Sequence, residues 1–182
     1  MTSYLGNFSL WLSLFFSISQ FILTRRKKTN LINIIVSGLL ISSALSFFLL
    51  MYLYIISDFS VLNVFQNSHT TKPLIYKIAG VWGNHEGSML LWILVLTLFN
   101  YFIFKLINNK NSIFILKTLE TQALITLGFL LFTIFTSNPF QKIFPIPENG
   151  LGFNPILQDP ALAIHPPLLY IEICRGFQQF FL

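Results

Sequence analysis

The chain has 182 residues, 54% of them hydrophobic and only 9% charged, with a net charge of +5 and a mean hydropathy of +0.72. Soluble domains carry roughly 25% charged residues, so this composition excludes an ordinary water-soluble fold and points to lipid. The positive charge does not point to nucleic acid, because Lys and Arg sit in short gaps between apolar runs and form no stripe beside stacking aromatics.

In chain order, residues 4–23 form a first uncharged run, followed directly by Arg25, Arg26, Lys27 and Lys28. It is long for a signal peptide's hydrophobic part and has no preceding positive region or small-residue cleavage site, so it reads as a retained span. Residues 31–56 form a second run that ends before Asp58. Residues 88–105 form a third, ending on Lys105, and residues 119–136 a fourth, with Glu120 at its edge. At about 1.5 Å per residue each can cross a hydrocarbon core of roughly 30 Å, the third with snorkelling at its ends. Helix is the required state, since unpaired backbone groups in lipid are too costly and no barrel pattern is present.

The expected fold is an all-α integral membrane protein, one membrane domain over residues 1–182. It has four transmembrane helices, loops at 57–87 and 137–164, and an incomplete fifth helix over 167–182 that Glu172 and Arg175 interrupt. The first and third gaps carry Arg25 to Lys28, Lys105, Lys110 and Lys117, against Lys72, Lys77 and Lys142 in the others. The excess of positive charge puts the first and third gaps on the cytoplasmic or matrix side and both long loops on the outer side. Those loops hold His69 and His85, with His165 directly after the second, and most of the Pro and Gly, so any chemistry is expected on the outer face. Phe, Ile, Asn and Lys recur throughout, a bias of A/T-rich codons that suits an organellar or otherwise A/T-rich genome.

Two segments can carry chemistry. The first is Gly80-Val-Trp-Gly-Asn-His-Glu-Gly-Ser-Met-Leu-Leu-Trp92. Asn84 suits a helix N-cap and Glu86 its first turn, so the third span begins here, and the free N–H groups of such an end can bind an anion. A cap, an interfacial Trp82 and a solvated His85 are the plainer reading. The second is Gln158-Asp-Pro-Ala-Leu-Ala-Ile-His-Pro-Pro-Leu-Leu-Tyr170, where Asp159 with Pro160 can start a short helix. A residue before proline is pushed out of the α region, which predicts a break with His165 at its corner and a new helix from Pro167. An imidazole there is either hydrogen-bonded structure or an axial ligand of haem iron, and spacing alone leaves both open. His69 lies in a polar run and reads as a solvated loop residue. Cys174 is alone, so the chain has no intrachain disulfide and no CxxC pair, and no nucleotide-binding or hydrolase motif is present.

Ser57 to Val61, Tyr76 to Ile78, Trp82 to Trp92, Thr136 to Phe140, Asn154 to Pro160 and His165 to Tyr170 together resemble, in order and spacing, the start of the CcmF/NrfE haem lyase family. The resemblance runs from roughly residue 38 to 171. It implies the N-terminal part of the lyase that joins haem vinyl groups to the two thiols of an apocytochrome c CxxCH site. It further implies an intrinsic haem b, with His165 as one axial ligand and His85, Trp82 and Glu86 as haem-pocket residues; catalytic residues remain unassigned. The family's tryptophan-rich segment, its second haem b ligand and the histidines that hold substrate haem have no counterpart in this sequence, and Glu172 to Leu182 departs from its pattern. The expectation is a split gene or an early end of frame, so that this chain is a lyase subunit, incomplete alone. The implied partners are the remaining C-terminal CcmF portion as a separate chain, other cytochrome c maturation components, the haem chaperone CcmE and apocytochrome c. The implied location is the mitochondrial inner membrane, or a bacterial inner membrane if the gene is not organellar. A noncatalytic scaffold subunit and a small transporter or respiratory subunit are the competing readings.

Overall fold

The computed structural model describes residues 1–27, 29–106, 113–152, 161 and 164–172. Six helices follow in order: α1 (Thr2–Arg25), α2 (Thr29–Ile56), α3 (Leu62–Asn67), α4 (Leu74–Gly80), α5 (His85–Leu106) and α6 (Ile113–Phe135). Residues 164–172 are also helical. Among the described residues four helices are long and apolar enough to cross a membrane: Thr2–Arg25, Leu31–Ile56, His85–Lys105 and Ile113–Phe135. No strand occurs among the described residues beyond one isolated bridge. The protein is an all-helical, multi-pass membrane protein.

The four long helices form a ring. α1 packs against α2 and α6, and α5 packs against the same two from the opposite side. The ring is apolar outside, and inside it a core of Leu, Ile, Val and Phe side chains such as Leu10, Leu39, Leu50, Leu90 and Leu130 is joined by a polar stripe on α1. Along α1 the buried positions include Ser3, Gly6, Ser9, Ser13, Ser17, Gln20 and Thr24, whereas Tyr4, Leu5, Phe8, Trp11, Phe15, Ile18 and Ile22 are exposed. In lipid this costs nothing, because large apolar side chains are at home outside and small residues let backbones approach.

The inward hydroxyls and amides find partners. Ser13 Oγ meets Ser42 Oγ at 2.8 Å, Ser43 Oγ meets Thr97 Oγ1 at 2.8 Å, and Ser17 Oγ donates to the Ala123 carbonyl at 3.0 Å. Across the middle of the ring Gln20 Nε2 donates to Asn100 Oδ1 at 3.1 Å and Asn100 Nδ2 donates to Gln20 Oε1 at 2.7 Å. At one end Glu120 accepts from Arg25 Nε at 2.7 Å and from Lys117 Nζ at 2.8 Å.

At the other end two loops knit together. Val61 and Lys142 form an antiparallel bridge, Leu62 N–H donates to the Gln141 carbonyl at 2.8 Å and Ile143 N–H to the Ser60 carbonyl at 3.0 Å. Leu151 N–H donates to the Phe65 carbonyl at 2.8 Å. A Cβ at Gly150 would sit 2.0 Å from the Ser68 carbonyl oxygen, so only glycine allows this approach.

The structure differs from the sequence reading in places. The expected loop 57–87 contains α3 and α4, the third long helix starts at His85, and the fourth starts at Ile113. The expected break at His165 is absent from the described segment: residues 164–172 are helical through His165, Pro166 and Pro167. The pre-proline restriction is a preference that tertiary context can outweigh. The short helix expected from Asp159 and the stretch 173–182 of the expected fifth helix lie outside the described residues.

Candidate functional site

The Trp82 to Trp92 segment is organised around Asn84. Its Oδ1 accepts the Gly87 N–H at 2.8 Å, which caps α5. Its Nδ2 donates to the Gly80 carbonyl at 2.7 Å and to Tyr54 Oη at 3.0 Å. Tyr54 in turn donates to Asn63 Oδ1 at 2.5 Å, and Asn63 Nδ2 donates to Asn84 Oδ1 at 2.8 Å and to Glu86 Oε2 at 3.1 Å. Three elements, the end of α2, α3 and the start of α5, are thus tied by one amide–phenol–carboxylate network. Gly87 belongs to it by necessity, since a Cβ there would lie 1.6 Å from the Val81 carbonyl oxygen.

Of the residues singled out from sequence, Glu86 is half-buried in this network and Trp82 packs, partly buried, against the main apolar core. His85 is exposed, its ring edge-on to Phe132 of α6 at 5.8 Å. His165 is exposed on the helical segment 164–172, beside the exposed Ile164, Leu168 and Leu169. That segment docks through Tyr170, whose ring meets Trp92 at 4.8 Å; Trp92 also stacks on Phe129 at 5.7 Å. The two segments that the sequence marks as chemical are therefore joined at their C-terminal aromatics.

The Trp92 Nε1–H is buried and has no acceptor among the described residues. An indole donor in that state fits a ligand or chain segment with an acceptor beside the Tyr170 contact. Sequence reasoning missed Trp92 and Tyr170 as partners, and Tyr54 and Asn63 altogether; only the position of the two aromatics at the ends of their segments hinted at them.

His69 bonds Thr71 Oγ1 at 2.9 Å in an exposed turn, as a solvated loop residue would. Nearby, burial and then the neighbouring Lys77 push the Lys72 ammonium down to about 8. Among the described residues no three His, Cys, Asp or Glu side chains gather as a metal site. A haem iron asks for less, since one imidazole per face is enough.

A protein-family model described as "Cytochrome C assembly protein" matches residues 82–172, half of the chain. The chain belongs to that family. Among curated members it is 45% identical to the cytochrome c-type biogenesis protein CycK of Rhizobium meliloti over 95% of this chain and 27% of that protein. It is 40% identical to the cytochrome c-type biogenesis protein CcmF of Haemophilus influenzae over 94% of this chain and 28% of that protein. A solved structure titled "Cytochrome c Heme Lyase CcmF" shares the fold, with a TM-score of 0.82 at 22% identity over 96% of this chain and 28% of that one. The chain thus spans little more than a quarter of the length of the family members it matches.

Proposed function

We propose that this chain is the N-terminal part of a cytochrome c haem lyase, acting in covalent haem attachment to apocytochrome c during cytochrome c maturation. The observation that carries the reading is the junction of the family's two long motifs. Trp82 to Trp92 and His165 to Tyr170 meet at the Trp92–Tyr170 contact, with an exposed imidazole on each side of the join.

The residues present fit one side of a haem b site. His165 offers an exposed imidazole on an apolar helix face, and Trp92 offers a buried N–H in need of an acceptor. Bound there, haem b would supply the electron-transfer capacity that keeps a substrate haem reduced. His165 would hold the iron through a neutral ring nitrogen, and the apolar side chains around it would limit the access of water. His85 and Trp82 would line the pocket. Glu86 would act indirectly, because its carboxylate already holds Asn63 and so fixes the start of α5. A further iron ligand, the substrate-haem site and the catalytic groups would come from the remaining C-terminal CcmF portion. Other maturation components, the haem chaperone CcmE and apocytochrome c complete the partners of this reading. It assigns the chain to the mitochondrial inner membrane, or to a bacterial inner membrane, with α3, α4 and residues 136–152 on the outer side.

Co-expression with a chain that supplies the missing C-terminal portion tests the proposal. The assembled complex is expected to give a reduced b-type spectrum, lost in His165→Ala while complex assembly persists. A full spectrum in that variant refutes the ligand role. The scaffold reading gains from the Asn84 network, which engages Glu86 in structure, and it expects normal assembly with no haem change. A transporter reading finds little support, since Glu86 and Glu120 lie in closed polar contacts at opposite ends of the ring.

A further inference from the structure

An open cavity of about 410 Å³ lies between the first two turns of α1 and the last turn of α6, at the end capped by the two loops. Its polar lining includes Ser3, Tyr4, Asn7, Asn138 and Lys142, and no carboxylate. Lys142 is fixed through its backbone by the bridge to Val61, and its ammonium lies 4.2 Å from the centre of the Tyr4 ring. It has no carboxylate partner among the described residues. Ser3, only 3% exposed, forms no side-chain hydrogen bond among them either. Asn138 Nδ2 donates to Asn7 Oδ1 at 3.2 Å, and the Asn7 amide donor, in a residue that lines the cavity, has no hydrogen-bond acceptor among the described residues. A single fixed cation surrounded by neutral donors calls for an anion.

The cavity opens sideways onto apolar surface. Phe135, 71% exposed, forms its wall and meets Trp11 edge-on at 5.8 Å, and Phe8 is exposed on the same helix. Tyr4, in the first turn of α1 and in the cavity lining, is an aromatic of the kind that marks the headgroup level of a bilayer. A soluble anion has no use for that seam, whereas acyl chains do.

We propose that this cavity binds the phosphate of an anionic glycerophospholipid, held by Lys142 with Ser3 and Asn7, its acyl chains lying along the Trp11–Phe135 seam. Native mass spectrometry of the full chain in detergent tests the site with phosphatidylglycerol, phosphatidylcholine and inorganic phosphate as separate probes. Phosphatidylglycerol is expected to bind in preference to phosphatidylcholine. Lys142→Gln lowers that binding about fivefold, since one near-surface lysine contributes about 1 kcal/mol toward an anionic lipid. Lys142→Arg retains it, and Ser3→Ala lowers it without a change of charge. Lys77→Gln removes the same charge outside the cavity and leaves binding intact. Equal losses in Lys77→Gln and Lys142→Gln, or equal binding of the two lipids, overturn the proposal. Inorganic phosphate that binds alone and displaces the lipid overturns it too, by making the ligand a soluble anion. Helicity by circular dichroism accompanies each variant, and the Lys142→Arg and Ser3→Ala pair decides the matter if Lys142→Gln fails to fold.

Discussion

Replacing Asn84 with alanine separates structure from ligand binding in the Trp82 to Trp92 segment. The substitution removes the cap on the Gly87 N–H, the donation to the Gly80 carbonyl and to Tyr54, and one of the two acceptors of Asn63. A lost N-cap costs about 1 kcal/mol. Buried hydrogen bonds in membrane proteins contribute about 0.6 kcal/mol each, so the remaining three bring the expected loss to about 2–3 kcal/mol. That is more than a tenfold change in the folded-to-unfolded ratio. Asn84→Asp, which keeps the acceptor oxygen but loses the donor, is expected to fall between wild type and alanine. Reversible unfolding of the detergent-solubilised chain, followed by tryptophan fluorescence and far-ultraviolet circular dichroism, measures both. A loss below about 0.5 kcal/mol for Asn84→Ala refutes the network as the reason for this segment's composition and leaves the polar side chains for a ligand.

Asn100→Leu breaks the reciprocal amide pair across the ring, leaving Gln20 Oε1 without its donor while Gln20 Nε2 keeps the Leu119 carbonyl; a loss of about 1 kcal/mol is expected in the same unfolding assay. Arg25→Ala is expected to cost less than about 1 kcal/mol, because the Arg25 side chain is 64% exposed beside Glu120, and the effect should shrink further at high salt. Lys72, held near 8 when folded against 10.5 when unfolded, makes stability rise as pH climbs from about 8 to 10.5. The unfolded chain binds the extra proton in that window, and below it both states are charged. Pressure from this group is absent in Lys72→Met, whose stability should be flatter over the same range, and a titration of labelled lysine by NMR reads the midpoint directly.

The long helices are legible because lipid imposes a composition that a single sequence displays, as the charge-free runs 31–56 and 88–104 illustrate. The Asn84 cap is legible too, since its acceptor partner is three residues away. Its other partners are not. Tyr54 sits at the end of an apolar run with nothing local to mark it, and Asn63 becomes its neighbour only after the chain turns and enters α3. α3 and α4, at 6 and 7 residues, are too short to set up a periodic signal. The serines of α1 are visible at helical spacing, but their inward direction depends on α2 and α6 packing beside them. At His165 the rule for residues before proline suggested a corner, whereas the described helix continues through it. The approach of its helix to the Trp92 side of the ring through Tyr170 required the structure.

The inward polar stripe of α1 has a bearing on biosynthesis. A helix that hides serines and displays phenylalanines gains nothing by pairing in water, so solvent exclusion cannot drive the ring together. Each long helix must first enter lipid on the strength of its own outer face. Ser13 with Ser42, Ser43 with Thr97, and Gln20 with Asn100 can then find one another laterally, in a medium that offers their hydroxyls and amides little else. Insertion and assembly are therefore two events in time, and the register of the ring is chosen in the second.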